Sequence, residues 1–128
     1  MADEYVNVRY MVDNIDEAVD CYTRHFGFAG LTNAAPAFAD VARGSLRLLL
    51  SGPASSAGRP LDDGRRPGPG GWNRIHFIVD DIAAETTRLQ DAGVVFRNDI
   101  VTGPGGSQAV LDDPSGNAIE LFQPAART

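Results

Sequence analysis

An internal repeat constrains the fold of this chain more than any other feature of its sequence. Residues 12–15 read VDNI, and 67 positions later residues 79–82 read VDDI. Each of these segments follows a run that alternates in the manner of a strand and precedes a run with helical spacing. A sequence that repeats itself at this distance predicts two copies of one supersecondary unit.

The repeat extends to the far end of each half. Residues 44–46 (GSL) align with residues 116–118 (GNA), and this alignment places Leu48 opposite Glu120. The second of these segments follows Asp112-Asp113-Pro114-Ser115, whose composition is typical of a turn. The strand after that turn alternates, so that Glu120 and Phe122 share one face and Ile119 and Leu121 share the other.

The two halves predict the same order of elements. The first half reads as a strand at 5–12, a helix from residue 15 that Gly27 ends, and strands at 28–32, 37–41 and 46–50. The second half reads as a strand from Trp72 to Asp80, a helix from residue 82 that Gly93 ends, and strands at 94–98, 108–111 and 118–122. The predicted fold class is therefore α+β, with two βαβββ modules.

A change of composition separates the modules. Residues 53–71 are rich in Gly, Pro and Ser and contain almost no apolar side chains. Such a stretch is either a flexible linker or a loop that folds over a ligand-binding mouth. We predict one structural domain made of an N-terminal module at 1–52, this Gly/Pro-rich segment, and a C-terminal module at 72–128.

Composition excludes several classes of function. The net charge is −6, the pI is about 4.7, and Arg supplies every basic side chain, which argues against nucleic-acid binding. No run approaches the ~20 apolar residues of a membrane span, and the acidic start of the chain does not read as a signal peptide. One cysteine, Cys21, excludes an intramolecular disulfide. We expect a cytoplasmic protein without membrane association.

Three motifs give the chain a family resemblance. The segments VDNIDEAVDCYTRHFGF, HFIVDDIAAETTRLQDAGV and DDPSGNAIELF occur in this order over nearly the whole chain. With them the chain resembles the vicinal oxygen chelate superfamily, which includes glyoxalase I, extradiol dioxygenases, fosfomycin-resistance transferases and bleomycin-resistance proteins. The resemblance implies two βαβββ modules whose curled sheets enclose a cavity, and it implies a homodimer.

The resemblance also implies four positions for metal ligands, at Asn7, Leu48, Arg74 and Glu120. Only Glu120 has the chemistry of the metal-dependent members. Leu48 offers no ligand atom, and Arg74 brings a permanent cation to the place of a metal. We therefore predict no metal and no cofactor, with an Arg74–Glu120 salt bridge in their place.

The resemblance further implies which residues line the cavity. Phe38 is included, although the alternation of its strand also allows Ala37 and Ala39 to point inward. The predicted ligand-binding residues are Asn7, Arg9, Phe38, Leu48, Leu50, Trp72, Arg74, His76, Glu120 and Phe122. This lining suits a planar, partly polar organic molecule, although each aromatic side chain is equally consistent with core packing.

Two functions follow from these residues. The first is a metal-independent binding protein that sequesters a hydrophobic or aromatic antibiotic, in the manner of bleomycin-resistance proteins; the acidic surface suits a cationic drug, and a neutral polycyclic ligand is equally compatible. The second is a glyoxalase- or dioxygenase-type enzyme with an altered metal site that uses His76 and Glu120 as acid and base. His76 is also consistent with a hydrogen-bond donor to a ligand, a relocated metal ligand, or a packed structural histidine.

Overall fold

A computed structural model describes residues 4–126 of the chain. The chain forms two compact units that divide between Gly70 and Gly71. Each unit contains one four-stranded sheet and one α-helix in the order β-α-β-β-β. The predicted α+β class with two βαβββ modules is therefore confirmed.

The first unit contains helix α1 and strands β1 to β4. Its sheet has the order β1-β4-β3-β2, with β1 and β4 parallel and the other neighbours antiparallel. The elements are β1 (Val6–Met11), α1 (Ile15–His25), β2 (Ala29–Ala34), β3 (Phe38–Arg43) and β4 (Leu46–Ser51).

The second unit repeats this topology with helix α2 and strands β5 to β8. Its sheet has the order β5-β8-β7-β6, and here β5 and β8 are the parallel pair. The elements are β5 (Ile75–Ile78), α2 (Ile82–Asp91), β6 (Val101–Gly103), β7 (Gly106–Asp112) and β8 (Ala118–Pro124).

Matching caps explain why both helices begin where they do. The Asn14 side chain accepts a hydrogen bond from the Glu17 backbone N–H at 2.9 Å, and the Asp81 side chain accepts one from Ala84 at 3.0 Å. Each bond satisfies a backbone donor that has no partner within the helix. The aligned positions 14 and 81 of the sequence repeat are thus the N-caps of α1 and α2.

The core of each unit lies between its helix and one face of its sheet. In the first unit Tyr22 of α1 is fully buried, and its ring contacts those of Tyr10, Phe26 and Phe28 with centroid distances of 5.6–6.3 Å. In the second unit Leu89 of α2 is fully buried, as is Ile119 of β8. The opposite face of each sheet carries polar and charged side chains; we call it the open face.

The second strand of the second module differs from the prediction. The sequence predicts a strand at 94–98, but in this stretch only Phe96 forms a bridge, to Leu111, and β6 begins later, at Val101. The Asn98 side chain accepts the backbone N–H of Val110 at 2.9 Å, at a place where a regular ladder would use a backbone carbonyl. Because this side-chain hydrogen bond takes the place of a backbone one, the strand pairing is interrupted and β6 begins only after the interruption.

The Gly/Pro-rich segment begins as a packed part of the first unit. The buried Ser55 hydroxyl donates to the Gly52 carbonyl oxygen at 2.6 Å and accepts the Gly58 N–H at 3.2 Å, at the start of a single 3-10 turn, Ser56–Gly58. A Cβ added at Gly58 would lie 2.6 Å from the Gly52 carbonyl oxygen. The start of this segment is therefore fixed against the first unit, at the end of β4.

Gly106, at the start of β7, occupies a position that other residues cannot adopt without strain. Its φ is 148°, and an added Cβ would overlap the Gln123 carbonyl oxygen and lie 2.9 Å from Cζ of Phe122. We expect Gly106→Ala to lower the free energy of unfolding by about 2 kcal/mol, because both the backbone and a neighbouring carbonyl must shift. Urea denaturation measures this change.

Gly105 provides the matched control. A Cβ at Gly105 meets nothing within 4 Å, so Gly105→Ala should change stability by less than about 0.5 kcal/mol. Equal effects of the two substitutions would contradict the prediction.

Within the part of the chain that the structure describes, neither helix is long and apolar enough to cross a membrane.

Candidate functional site

The candidate site lies on the open face of the second sheet. The parallel strands β5 and β8 place His76 beside Glu120 and Ile78 beside Phe122. Because side chains alternate along a strand, Glu120 and Phe122 point away from Ile119 and Leu121, which are buried in the core. This placement confirms the alternation predicted for the strand after the Asp112–Gly116 turn.

An ion pair at this face joins β8 to Arg74, the residue directly before β5. Nε of Arg74 lies 2.9 Å from Oε1 of Glu120, whose side chain is only 9% exposed, and this confirms the predicted salt bridge. Nε2 of His76 lies 3.6 Å from the other carboxylate oxygen. The His76 ring also packs against Phe122, with a centroid distance of 4.9 Å. Glu120 is thus shared between a guanidinium and an imidazole.

These residues do not fit the metal that the family resemblance implies. The guanidinium of Arg74 occupies one oxygen of Glu120 and carries a permanent positive charge next to it. Among residues 4–126, no three His, Cys, Asp or Glu side chains come together in a group that could hold a metal ion. A divalent cation requires several converging anionic or imidazole ligands, and the donor set here does not supply them.

Arg97 is a site residue that the sequence analysis missed. Its Nε lies 2.6 Å from Oδ1 of Asp112, and its guanidinium carbon lies 4.5 Å from the centroid of the Trp72 ring. Trp72 itself is 68% exposed. In the sequence Arg97 stands in an apolar stretch that reads as a strand, and nothing there signals that it folds back onto Trp72.

The first unit has an open face of its own. Its residues include Asn7, which is exposed, and Arg9, whose Nη1 donates to the Ser51 hydroxyl at 2.8 Å. Phe38 pairs with Ser51 across the sheet, and this pairing places Phe38, rather than Ala37 and Ala39, on the open face. On the same face the buried Asp40 carboxylate forms a 2.7 Å ion pair with Arg47.

Leu48 and Leu50 do not lie on this open face, and their predicted place beside Asn7 and Arg9 is wrong. They pair with Val8 and Tyr10 of β1, and Tyr10 contacts Tyr22 of α1, so their side of the sheet faces the helix. Both leucines are 0% exposed and belong to the core. Successive side chains of a strand point to opposite faces of the sheet. A register displaced by one residue from the predicted one therefore places both leucines on the buried face.

The strand register shows why the two leucines were misplaced. Arg9 pairs with Leu49 in the first unit, and its repeat counterpart His76 pairs with Glu120 in the second. Glu120 therefore corresponds to Leu49, not to Leu48, and the sequence alignment at the end of the modules was displaced by one residue. The counterpart of the carboxylate is an aliphatic side chain in either alignment.

Two surface cavities of the first unit lie away from the predicted residues. One, of about 320 Å³, lies at the start of α1 beside Ala35 and Pro36. The other, of about 210 Å³, lies between the end of β1 and residues 66–69. Neither cavity is lined by a histidine, whereas the open face of the second sheet carries His76 beside the Arg74–Glu120 ion pair and is therefore the candidate site on chemical grounds.

Solved structures with this fold include proteins of different function. A lactoylglutathione lyase from Agrobacterium tumefaciens is 23% identical with a TM-score of 0.71, and the match covers 92% of this chain and 91% of that one. TnmS3, an antibiotic binding protein from Streptomyces sp. CB03234, is 27% identical with a TM-score of 0.70, over 94% and 95% of the two chains. A glyoxalase/bleomycin resistance protein/dioxygenase superfamily member from Sphaerobacter thermophilus DSM 20745 is 25% identical with a TM-score of 0.72, over 93% and 95%.

A family model provides the assignment. No curated protein sequence matches the chain significantly. The model of the glyoxalase/bleomycin resistance protein/dioxygenase superfamily matches residues 5–121, which is nearly all of the sequence. The chain therefore belongs to the glyoxalase/bleomycin resistance protein/dioxygenase superfamily.

Proposed function

We propose that this protein binds and sequesters a hydrophobic or aromatic small molecule, such as an antibiotic, without using a metal. The observation that carries the proposal is the Arg74–Glu120 ion pair, at 2.9 Å, on the open face of the second sheet. A carboxylate held by a guanidinium binds a divalent cation poorly. The ion pair can still form hydrogen bonds with the polar groups at the edge of a bound small molecule.

The aromatic side chains around this pair support ligand binding. Trp72 is exposed, and the His76 ring packs against the Phe122 ring at an interplanar angle of 35°. Flat rings beside a few fixed polar groups are typical of sites that hold planar organic molecules. The likeness to TnmS3, which is an antibiotic binding protein, is in keeping with this chemistry.

The proposal is tested by metal analysis of the purified protein together with a thermal-shift screen. The screen covers aromatic antibiotics and small oxo-compounds, and bound compounds are recovered and checked for chemical change. We expect no stoichiometric metal, a rise in melting temperature with one class of aromatic compound, and recovery of that compound intact. Stoichiometric zinc, iron or manganese that survives dialysis would contradict metal independence.

Trp72→Ala is expected to weaken binding of the compound found in this screen by about fivefold, because an aromatic stacking contact is worth on the order of 1 kcal/mol. The substitution should leave the fold intact, since the Trp72 side chain is mostly exposed. Isothermal titration calorimetry measures the affinity, and Trp72→Phe is the matched control that retains a flat ring. Unchanged affinity of the Trp72→Ala variant would exclude Trp72 from the site.

One observation favours an enzyme as the second candidate. Nε2 of His76 and Oε2 of Glu120 lie 3.6 Å apart on the open face, which is a suitable placement for an acid and a base that act on one substrate. In that case a compound from the screen would be recovered chemically changed, and His76→Ala would abolish the change while retaining binding. Mass spectrometry of the recovered compound separates the two functions.

A further inference from the structure

We infer that Arg97 sets the charge preference of the ring-binding surface at Trp72, so that this surface accepts an electron-rich planar ring that is neutral or anionic and rejects a cationic ring. The inference rests on the proposed function and narrows its ligand class. It concerns a specificity-determining residue whose guanidinium lies on one face of the Trp72 indole.

Arg97 is fixed at this position by its hydrogen bonds. Besides the 2.6 Å bond from Nε to Asp112, Nη1 donates to the Gly71 carbonyl oxygen at 2.9 Å and Nη2 donates to the Gly116 carbonyl oxygen at 3.0 Å. All three nitrogens of the guanidinium are thus engaged, and the side chain is only 18% exposed. The charge therefore stays against the indole rather than turning toward solvent.

Trp72 is fixed as well, although most of its surface is exposed. The Arg97 guanidinium covers one part of the ring, and Nη1 of Arg74 donates to the Trp72 carbonyl oxygen at 3.2 Å. The two arginines that form ion pairs on this sheet therefore hold the backbone and the ring of the same residue. An indole held in this way is a preorganised stacking surface, because little side-chain entropy remains to be lost on binding.

The guanidinium determines which ring such a surface prefers. A cation over an aromatic face draws on the negative potential of the ring, so the remaining face attracts a second cation less strongly. A cationic ring stacked there would lie about 8 Å from the Arg97 charge, which is within the range where repulsion is only partly screened at physiological salt. An electron-rich ring is favoured by the same polarisation.

Opposing charges limit the effect without removing it. Asp112 neutralises part of the Arg97 charge, Glu120 neutralises part of the Arg74 charge, and the whole chain carries −6. The overall acidity attracts cations at long range, and salt screens this attraction. The preference imposed by Arg97 is local, so it is measured at physiological ionic strength.

Three planar bicyclic probes of nearly equal size test the inference: neutral 2-naphthol, anionic 2-naphthoate and cationic N-methylquinolinium. Trp72 is the only tryptophan of the chain, so the single indole N–H resonance in a proton–nitrogen NMR spectrum reports binding at this residue. We expect 2-naphthol and 2-naphthoate to bind about tenfold more tightly than N-methylquinolinium. Equal affinities of the neutral and cationic probes would overturn the inference.

Two variants identify Arg97 as the cause. Asp112→Asn removes the neutralising carboxylate but keeps the guanidinium and its two carbonyl partners, so it should widen the difference between 2-naphthol and N-methylquinolinium by about threefold. Arg97→Met should reduce this difference below threefold. An Asp112→Asn variant whose probe preference equals that of the wild type would overturn the inference even if Arg97→Met displaces Trp72.

The test separates this inference from the proposed function. If the antibiotic screen gives binding but the probes show no charge preference, sequestration stands and the role of Arg97 is wrong. If the probes shift the indole resonance with the expected preference but no compound of the screen binds, the charge preference stands and sequestration is wrong. No shift of the indole resonance by any probe at millimolar concentration would overturn the stacking surface itself.

Discussion

Replacing Arg74 with Met is expected to lower the free energy of unfolding by about 3 kcal/mol, because it leaves the Glu120 carboxylate buried without its guanidinium partner. The Glu120 side chain is 9% exposed, and the second ionisable neighbour of its carboxylate is His76, at 3.6 Å. Guanidinium chloride denaturation at neutral pH measures the change. The loss of stability should lie at the lower end of the range for breaking a buried ion pair, since Arg74 is partly exposed.

A second variant distinguishes the cost of an unpaired charge from the loss of a favourable bond. Removing both charges in Arg74→Met/Glu120→Met should restore stability to within about 1 kcal/mol of the wild type, because apolar replacements of a buried pair are often neutral. The exposed pair between Arg24 and Asp20 is the control, and Arg24→Met should cost less than about 0.5 kcal/mol. A double variant less stable than Arg74→Met alone would show that the pair itself stabilises the fold.

Replacing Asp113 with Ala is also expected to lower the free energy of unfolding by about 3 kcal/mol, because its buried carboxylate accepts the hydrogen bonds that hold the turn before β8. Oδ1 of Asp113 accepts the backbone N–H groups of Ser115 at 2.8 Å and Asn117 at 2.9 Å. Oδ2 accepts the Asn117 side-chain amide at 3.0 Å. Loss of the carboxylate leaves these donors without their acceptor, and thermal or urea unfolding measures the result.

Asp81 provides the comparison for this prediction. Its side chain accepts one backbone N–H as the N-cap of α2, so Asp81→Ala should cost about 1 kcal/mol. Asp113→Asn should have an intermediate effect, because it keeps one oxygen but turns an amide toward the amide of Asn117. The account of the turn is wrong if Asp113→Ala costs no more than Asp81→Ala.

Regular patterns made much of the fold predictable. Tyr22 and its apolar neighbours follow one another at helical spacing, and Asn14 and Asp81 are residue types that commonly begin helices. The two modules and their helices could therefore be predicted from the sequence alone. Glu120 was placed on the correct face because a single carboxylate among Ile119, Leu121 and Phe122 makes the alternation of β8 unambiguous.

The faces of β4 were not predictable in the same way. Residues 48–50 are three consecutive leucines, so hydrophobicity alternates nowhere along them and cannot show which face is buried. Only the pairing with β1, which sets Leu48 beside Val8, decides the register. This information belongs to tertiary structure, and a displacement of one residue in the repeat alignment was enough to exchange the two faces.

The role of Arg97 was hidden for a different reason. Two of its hydrogen bonds go to the backbone carbonyl oxygens of Gly71 and Gly116. Every residue has such an oxygen, so no sequence pattern shows which of them Arg97 binds. The Arg74–Glu120 pair, in contrast, joins two side chains of opposite charge, one directly before β5 and the other in the neighbouring strand β8. Sequence analysis found the Arg74–Glu120 pair but missed both the Arg97–Asp112 ion pair and the contacts of Arg97 to the backbone.

The parallel pairing of β5 and β8 has a consequence for how the site comes into being. Arg74 and Glu120 are 46 residues apart in the chain; Arg74 directly precedes the first strand of their unit, and Glu120 lies in the last strand. Contacts of such large sequence separation carry the highest loop-closure cost and raise the contact order of the unit. A nascent or C-terminally truncated chain that ends before β8 therefore has no site at all, and ligand affinity reports completion of the unit rather than formation of any local element.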